Sequence, residues 1–356
     1  MNNSTRHSGF TLIELMVSLA VFLVIAGAAF SLFGAHAPLF SRQQNLAGLN
    51  ITLRNIVTQM ELDVVNAGNG YFPGTDIASW PIGVTVNNNQ PNGTCFNAAN
   101  QTYSASCFDT MTVITADPQT PPTHPDPAGS SCGATDTNSI LFVDAPPAPT
   151  WTGTLAAYAS LFHTGDQLLL IKSDGSQMAT TTLTSDGAVV GAKIQLQHNP
   201  TGASAADPLG ITTYAATKGA SDPFSNKLGN QFCQPDWVLK LAWTRYTVDA
   251  TDPTNPKLTR QVSGNAAEIL AEQIIGFKIG ASLWSGTDSG DAYFKNYNYG
   301  DYDPSQVRSL RISLIGRTPP SVDPLANYRN SFDGGNYQIQ AMSIGINPRN
   351  LSMNDQ

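Results

Sequence analysis

Residues 10–33 form an apolar run of 24 residues broken by a single charge, Glu14. As a helix rising about 1.5 Å per residue, the run spans roughly 36 Å, enough to cross a bilayer. A carboxylate inside such a span costs roughly 2.5–3.5 kcal/mol on insertion scales, so Glu14 needs a partner or a task. The helical pattern continues past Pro38. Leu46, Leu49, Leu53, Ile56, Met60 and Val64 recur at steps of three and four, one stripe of an amphipathic helix. Arg42, Gln43, Asn50, Arg54, Glu61 and Asp63 lie on the other face. Asn66, Gly68 and Gly70 are the residues that end helices. Pro38 removes a backbone donor, and Gly27 and Gly34 weaken the helix nearby, so a bend is expected around residues 34–38.

Ahead of the apolar run stands a short polar leader. Where the two meet, seven consecutive residues, Gly9-Phe10-Thr11-Leu12-Ile13-Glu14-Leu15, resemble the class III signal of type IV prepilins and type II secretion pseudopilins. The resemblance implies cleavage between Gly9 and Phe10 by a prepilin peptidase, N-methylation of Phe10, and a part for Glu14 in subunit docking. A cut there creates an α-amino group one turn before Glu14. Its reference pKa of about 7.7–8.0 leaves it mostly cationic at neutral pH. A plus at the helix tip and a minus one turn in are both answered when another subunit brings the opposite charges. An ordinary secretory signal has an apolar core of about 7–15 residues followed by an A-x-A-like site. Ala35-His36-Ala37 supplies the triplet, but the run before it is too long and Pro38 follows directly. A plain single-span anchor explains the length but not the residues from Gly9 to Glu14.

Only 12% of the 356 residues are charged, against a usual share of about 25%, while Gly (30) and Pro (23) are abundant. That is a loop-rich β profile, long enough for one large or two small domains. The net charge is −8, and no Lys/Arg cluster offers a footprint for a phosphate backbone, so no direct nucleic-acid partner is expected. Arg6, with His7 beside it, is the basic residue before the span, which keeps the leader cytoplasmic and sends the remainder outside the inner membrane. Disulfides form there. Cys95, Cys107, Cys132 and Cys233 permit three pairings. One of them joins Cys95 to Cys107 across a short loop and Cys132 to Cys233, tying an insert to the later sheet.

From residue 71 the signals are strands and turns. Residues 109–115, 139–143 and 167–172 read as strands, with a Thr-rich partner at 180–184 after the turn at 173–176. Residues 73–106 and 116–138 are dominated by Pro, Asn, Gly and Ser and read as long loop inserts. Residues 237–248 and 257–262 read as a hairpin, and 266–275 as a short helix or turn leading into 276–279. Residues 307–317 form the clearest strand, with arginines interleaved, and 337–346 close the sheet. The succession is also similar to PilW-type minor pilins: Ala67-Gly68-Asn69-Gly70 after the helix, Leu258-Thr259-Arg260, Leu270-Ala271-Glu272, the 307–317 strand and Arg349-Asn350-Leu351.

No catalytic constellation accompanies this. His124, His163 and His198 make no H-x₃-H or H-E-x-x-H spacing. Gly129-Ser130-Ser131-Cys132-Gly133 lacks the G-x-S-x-G spacing and strand-to-helix setting of a nucleophile turn. No phosphate loop or dinucleotide fingerprint follows a strand, so no enzyme and no cofactor are expected. Asp288, Asp291, Asp301 and Asp303 bracket a run containing Tyr293, Tyr297 and Tyr299. Clustered loop acids of this kind can hold calcium through oxygen ligands, though they match no EF-hand spacing and most such acids are simply solvated.

The expectation is therefore an α+β chain: a leader at 1–9, a transmembrane helical half at 10–37, an amphipathic half at 38–67, and a periplasmic antiparallel β-rich globular domain at 68–356. The resemblance implies a minor pilin of type IV pilus assembly, in a priming or tip complex. Its partners are the prepilin peptidase, other minor and major pilins, the inner-membrane assembly platform and membrane lipid. It is inserted in the bacterial inner membrane and later found in the filament at the cell surface. Two alternatives share this start: a minor pseudopilin of a type II secretion system, and a pilus-tip adhesin or ligand-binding subunit supported by the inserts at 73–138.

Overall fold

The structure, a computed structural model, describes residues 11–69, 83–89, 95–126, 139–174, 177–199, 228, 231–283, 292–294, 307–319 and 328–348. Helix α1 (Leu12–Val65) is one unbroken α-helix. Along its first part Leu12, Ile13, Phe22, Val24, Phe30 and Phe33 are 64–78% exposed, a pattern suited to lipid as solvent. By length and composition it is the one described helix able to cross a membrane. The helix continues through position 38, so the proline does not end it. A helix forfeits one backbone bond there and resumes in the next turn.

Two compact units divide the chain, Met1–Ile51 and Thr52–Gln356. In the second unit the expected stripe is realised: Leu53, Ile56, Met60 and Val64 are buried, together with Val57 and Ala67. The helix ends where Gly68 takes a left-handed φ of 70°. Its amide then donates to the carbonyl of Ile114 (2.8 Å), and the Ala116 amide donates to the carbonyl of Asn69 (2.9 Å).

The strands are β1 (Val84–Asn87), β2 (Phe96–Asn97), β3 (Thr102–Tyr103), β4 (Thr110–Ala116) and β5 (Ile140–Val143). After the short helix α2 (Leu155–Ala159) come β6 (Gln167–Ile171), β7 (Met178–Thr182), β8 (Ala188–Val190) and β9 (Lys193–Gln197). Then follow β10 (Trp237–Asp249), β11 (Lys257–Val262), β12 (Glu268–Glu272), β13 (Ile274–Leu283), β14 (Ala292–Phe294), β15 (Val307–Arg317) and β16 (Ile339–Ile346). All pairings among them are antiparallel.

The largest sheet runs β1-β4-β10-β11-β12, with β6 and β7 joined to it through β10. Strand β10 is its spine. One edge pairs with β4 over 241–246, and the other carries β6 over 237–241 and then β11 over 244–249. A second sheet runs β14-β13-β15-β16, and β5-β9-β8 form a third. Leu310, Ile312 and Leu314 of β15 point to the core while Ser309, Arg311 and Ser313 take the opposite face, the two-residue period of a strand. A separate core gathers Tyr158 and Phe162, at and just beyond α2, with Leu168, Leu170, Phe232 and Val238.

Three sequence expectations are corrected. Residues 266–275 are not helix or turn but strand β12 and the start of β13, separated by Gln273 at φ 60°. The helix-favouring Ala, Glu and Leu yield to hydrogen bonding with β11, as weak local propensity does to tertiary pairing. The insert at 73–106 contains strand β1, paired residue by residue with β4. Asp63, placed on the solvent face, is turned into the domain (below). The β8–β9 hairpin and α2, whose Thr154 hydroxyl accepts from the Ala157 amide (3.1 Å), were not anticipated.

Candidate functional site

Gly9 and Phe10 lie outside the described residues. Immediately after them, Thr11 precedes the first helical residue and Glu14 follows three positions later. The Glu14 carboxylate reaches back: Oε2 accepts from the Thr11 amide (2.9 Å) and the Thr11 hydroxyl (2.8 Å). A weaker bond runs from the Glu14 amide to Thr11 Oγ1 (3.4 Å). This is a capping box, in which the N-terminal hydroxyl and the carboxylate one turn on satisfy each other's backbone groups. The sequence reading gave Glu14 partners only outside its own chain and assigned Thr11 no part. The signal that would have found it is Thr-x-x-Glu ahead of an apolar run. Both bonds fall on one carboxylate oxygen, so Oε1 takes no part in the box.

At the other end of the helix, Asp63 Oδ2 accepts from the phenol of Tyr246 (2.5 Å) and from Arg260 Nε (3.3 Å). Arg260 Nη1 also donates to Glu268 Oε1 (3.1 Å). Tyr246 is fully buried on β10, and burial, reinforced by Asp63, holds its phenol well above the usual tyrosine range. The group fixes helix, β10, β11 and β12 to one another. Asp63→Ala would leave a buried phenol and a half-buried guanidinium short of an acceptor. We expect a loss of about 2–3 kcal/mol, read as a lowered denaturation midpoint of the detergent-solubilised protein.

A second buried carboxylate ties the two large sheets. Asp109, fully buried before β4, accepts from Lys278 Nζ (2.7 Å) and the Ile279 amide (2.9 Å) of β13. Burial raises its pKa, and the Lys278 ammonium opposes that rise.

Of the cysteines, Cys95 and Cys107 form a disulfide. Cys233 is also disulfide-bonded, and Cys132 lies outside the described residues. So do the calcium candidates Asp288, Asp291, Asp301 and Asp303, and the loop at 129–133. The histidines are dispersed. His124 packs at a tilt against Trp237 (4.0 Å between ring centroids), His163 is exposed and His198 is buried.

Comparison with known proteins bears on the N-terminus. Residues 4–30 match the prokaryotic N-terminal methylation motif, which implies processing by a prepilin peptidase. No curated protein matches the chain. Among solved structures, a Type IV-like pilin from Thermus thermophilus is 14% identical, covering 56% of this chain and 93% of that one with a TM-score of 0.18. At that score the likeness carries no weight for the fold. The N-terminus thus joins a methylation motif to an apolar helix long enough to cross a membrane.

Proposed function

We propose that the chain is a minor pilin: inserted in the inner membrane, cleaved after Gly9, methylated at Phe10 and docked into a type IV pilus through its apolar helix. The observation that carries the reading is continuity. The methylation motif at residues 4–30 opens a helix that stays exposed and apolar first and is buried in an antiparallel β domain last. In docking, Glu14 accepts the α-amine of Phe10 from a neighbouring subunit, and the Thr11 bonds hold the carboxylate in place beforehand. Its partners are the prepilin peptidase, other pilins and the assembly platform. A minor role fits a domain whose inserts would crowd a lattice repeated thousands of times.

N-terminal sequencing of the protein recovered from membranes tests the reading. N-methyl-phenylalanine at position 10 is the expected first residue. A chain that still begins at Met1 would refute processing.

A further inference from the structure

The Cys95–Cys107 disulfide closes a hairpin, β2–β3, with only two residues in each strand, far too short to hold its shape alone. What the hairpin presents is Tyr103. Its ring lies against Phe96 (4.7 Å between centroids), and its hydroxyl donates to Asp333 Oδ2 (2.5 Å). The Tyr337 hydroxyl also donates to Asp333, while Asp333 Oδ1 accepts from Asn330 Nδ2 (2.8 Å) and the Gly335 amide (3.0 Å).

Beneath this loop lies Arg317, a guanidinium buried to 3% exposure at the end of β15. It donates from Nη1 to the carbonyl of Gln101 at the hairpin tip (3.1 Å) and to the Tyr337 hydroxyl (3.1 Å), from Nη2 to the carbonyl of Thr254, and from Nε to Gln273 Oε1 (2.5 Å). It also faces the rings of Tyr103 and Tyr337. Burial raises the Tyr103 and Tyr337 phenols, the latter to about 12, so both remain donors. Burial would raise Asp333, but the hydrogen bonds from Tyr103, Tyr337, Asn330 and Gly335 outweigh it and keep the carboxyl low.

A buried cation therefore depends for one of its acceptors, and a partly buried carboxylate for one of its donors, on a hairpin held closed by a disulfide. We infer that the Cys95–Cys107 bond is a redox-sensitive lock on the segment 328–337: only the oxidised protein seats this segment over Arg317. Reduction by an added dithiol transfers two electrons and two protons to the sulfurs, breaks the S–S bond and leaves the reagent as its own disulfide. The hairpin then opens, Gln101 and Tyr103 leave Arg317 and Asp333, and the segment is released while the β10–β11 core stays folded.

Hydrogen exchange on the full-length protein in detergent tests this. Cys95→Ser with Cys107→Ser removes this bond and leaves Cys233 untouched. Exchange should speed up at least about tenfold in both 96–103 and 328–337, with 241–247 and 258–262 unchanged. Tyr103→Phe keeps the disulfide and should loosen 328–337 while leaving 96–103 protected. The lock is overturned if the double variant loosens the hairpin alone, or if protection is lost throughout the domain. It is also overturned if Tyr103→Phe leaves 328–337 as protected as before.

Discussion

Glu14→Val is expected to insert in the membrane and be cleaved at normal levels, yet to be recovered in sheared filaments at least about tenfold less than the unaltered chain. Valine suits a lipid-facing helix better than glutamate, so insertion has nothing to lose. On the proposed docking, what disappears is the acceptor for a cationic α-amine. Tenfold corresponds to only about 1.4 kcal/mol, a modest demand on a charge pair shielded from water. The capping box adds a discriminating arm. Thr11→Ala keeps the carboxylate but releases it from the two bonds that hold it, so incorporation should fall by less than for Glu14→Val. Filament immunoblots of both variants decide. Normal incorporation of Glu14→Val would remove charge docking from the account of this subunit.

Gly83→Ala should be the most damaging glycine-to-alanine change among the described residues of the globular unit. Gly83 has φ 73°, where an L side chain is strained, and an added Cβ would sit 2.1 Å from the backbone nitrogen of Gly68. Neither backbone can yield cheaply. The Gly68 amide is bonded to the carbonyl of Ile114, whose own amide is bonded to the carbonyl of Gly83. Relieving the clash breaks the seam between the helix end and β4. The loss is on the order of 4 kcal/mol, a large share of the roughly 5–15 kcal/mol that holds a domain of ordinary stability together. Thermal melts followed by circular dichroism, with the strand signal lost at a markedly lower temperature than in the parent, are the expected readout. A denaturation midpoint within a degree of the parent would show that the seam can slide.

What could be read from sequence divides along the range of the interactions involved. The helix was legible because its stripe at Leu53, Ile56, Met60 and Val64 is a local period, and β15 because its apolar residues alternate with Ser and Arg. Glu14 stands out because a lone charge in an apolar run is anomalous wherever it occurs, but its bonds to Thr11 do not follow from that anomaly. Asp63 was not legible. Its partners Tyr246 and Arg260 are 183 and 197 residues away, and although about 100° per residue puts it next to Ile56 at the edge of the stripe, nothing local names a partner for the charge. Arg317 ends a strand whose other arginines do lie off the core face, so nothing local marks it as buried. Residues 266–275 failed for the opposite reason: the local signal was clear but was overruled by pairing with β11.

The attachment of α1 also has a mechanical side. Its last turns are bonded to β4 through Gly68 and Asn69 and to β10 through Asp63, and these are interior strands, each flanked on both sides. A pull on the helix therefore loads the middle of a sheet, where neighbouring ladders must shear together, rather than an edge strand that could be unzipped one bond at a time. Tension enters the domain where it is hardest to peel apart.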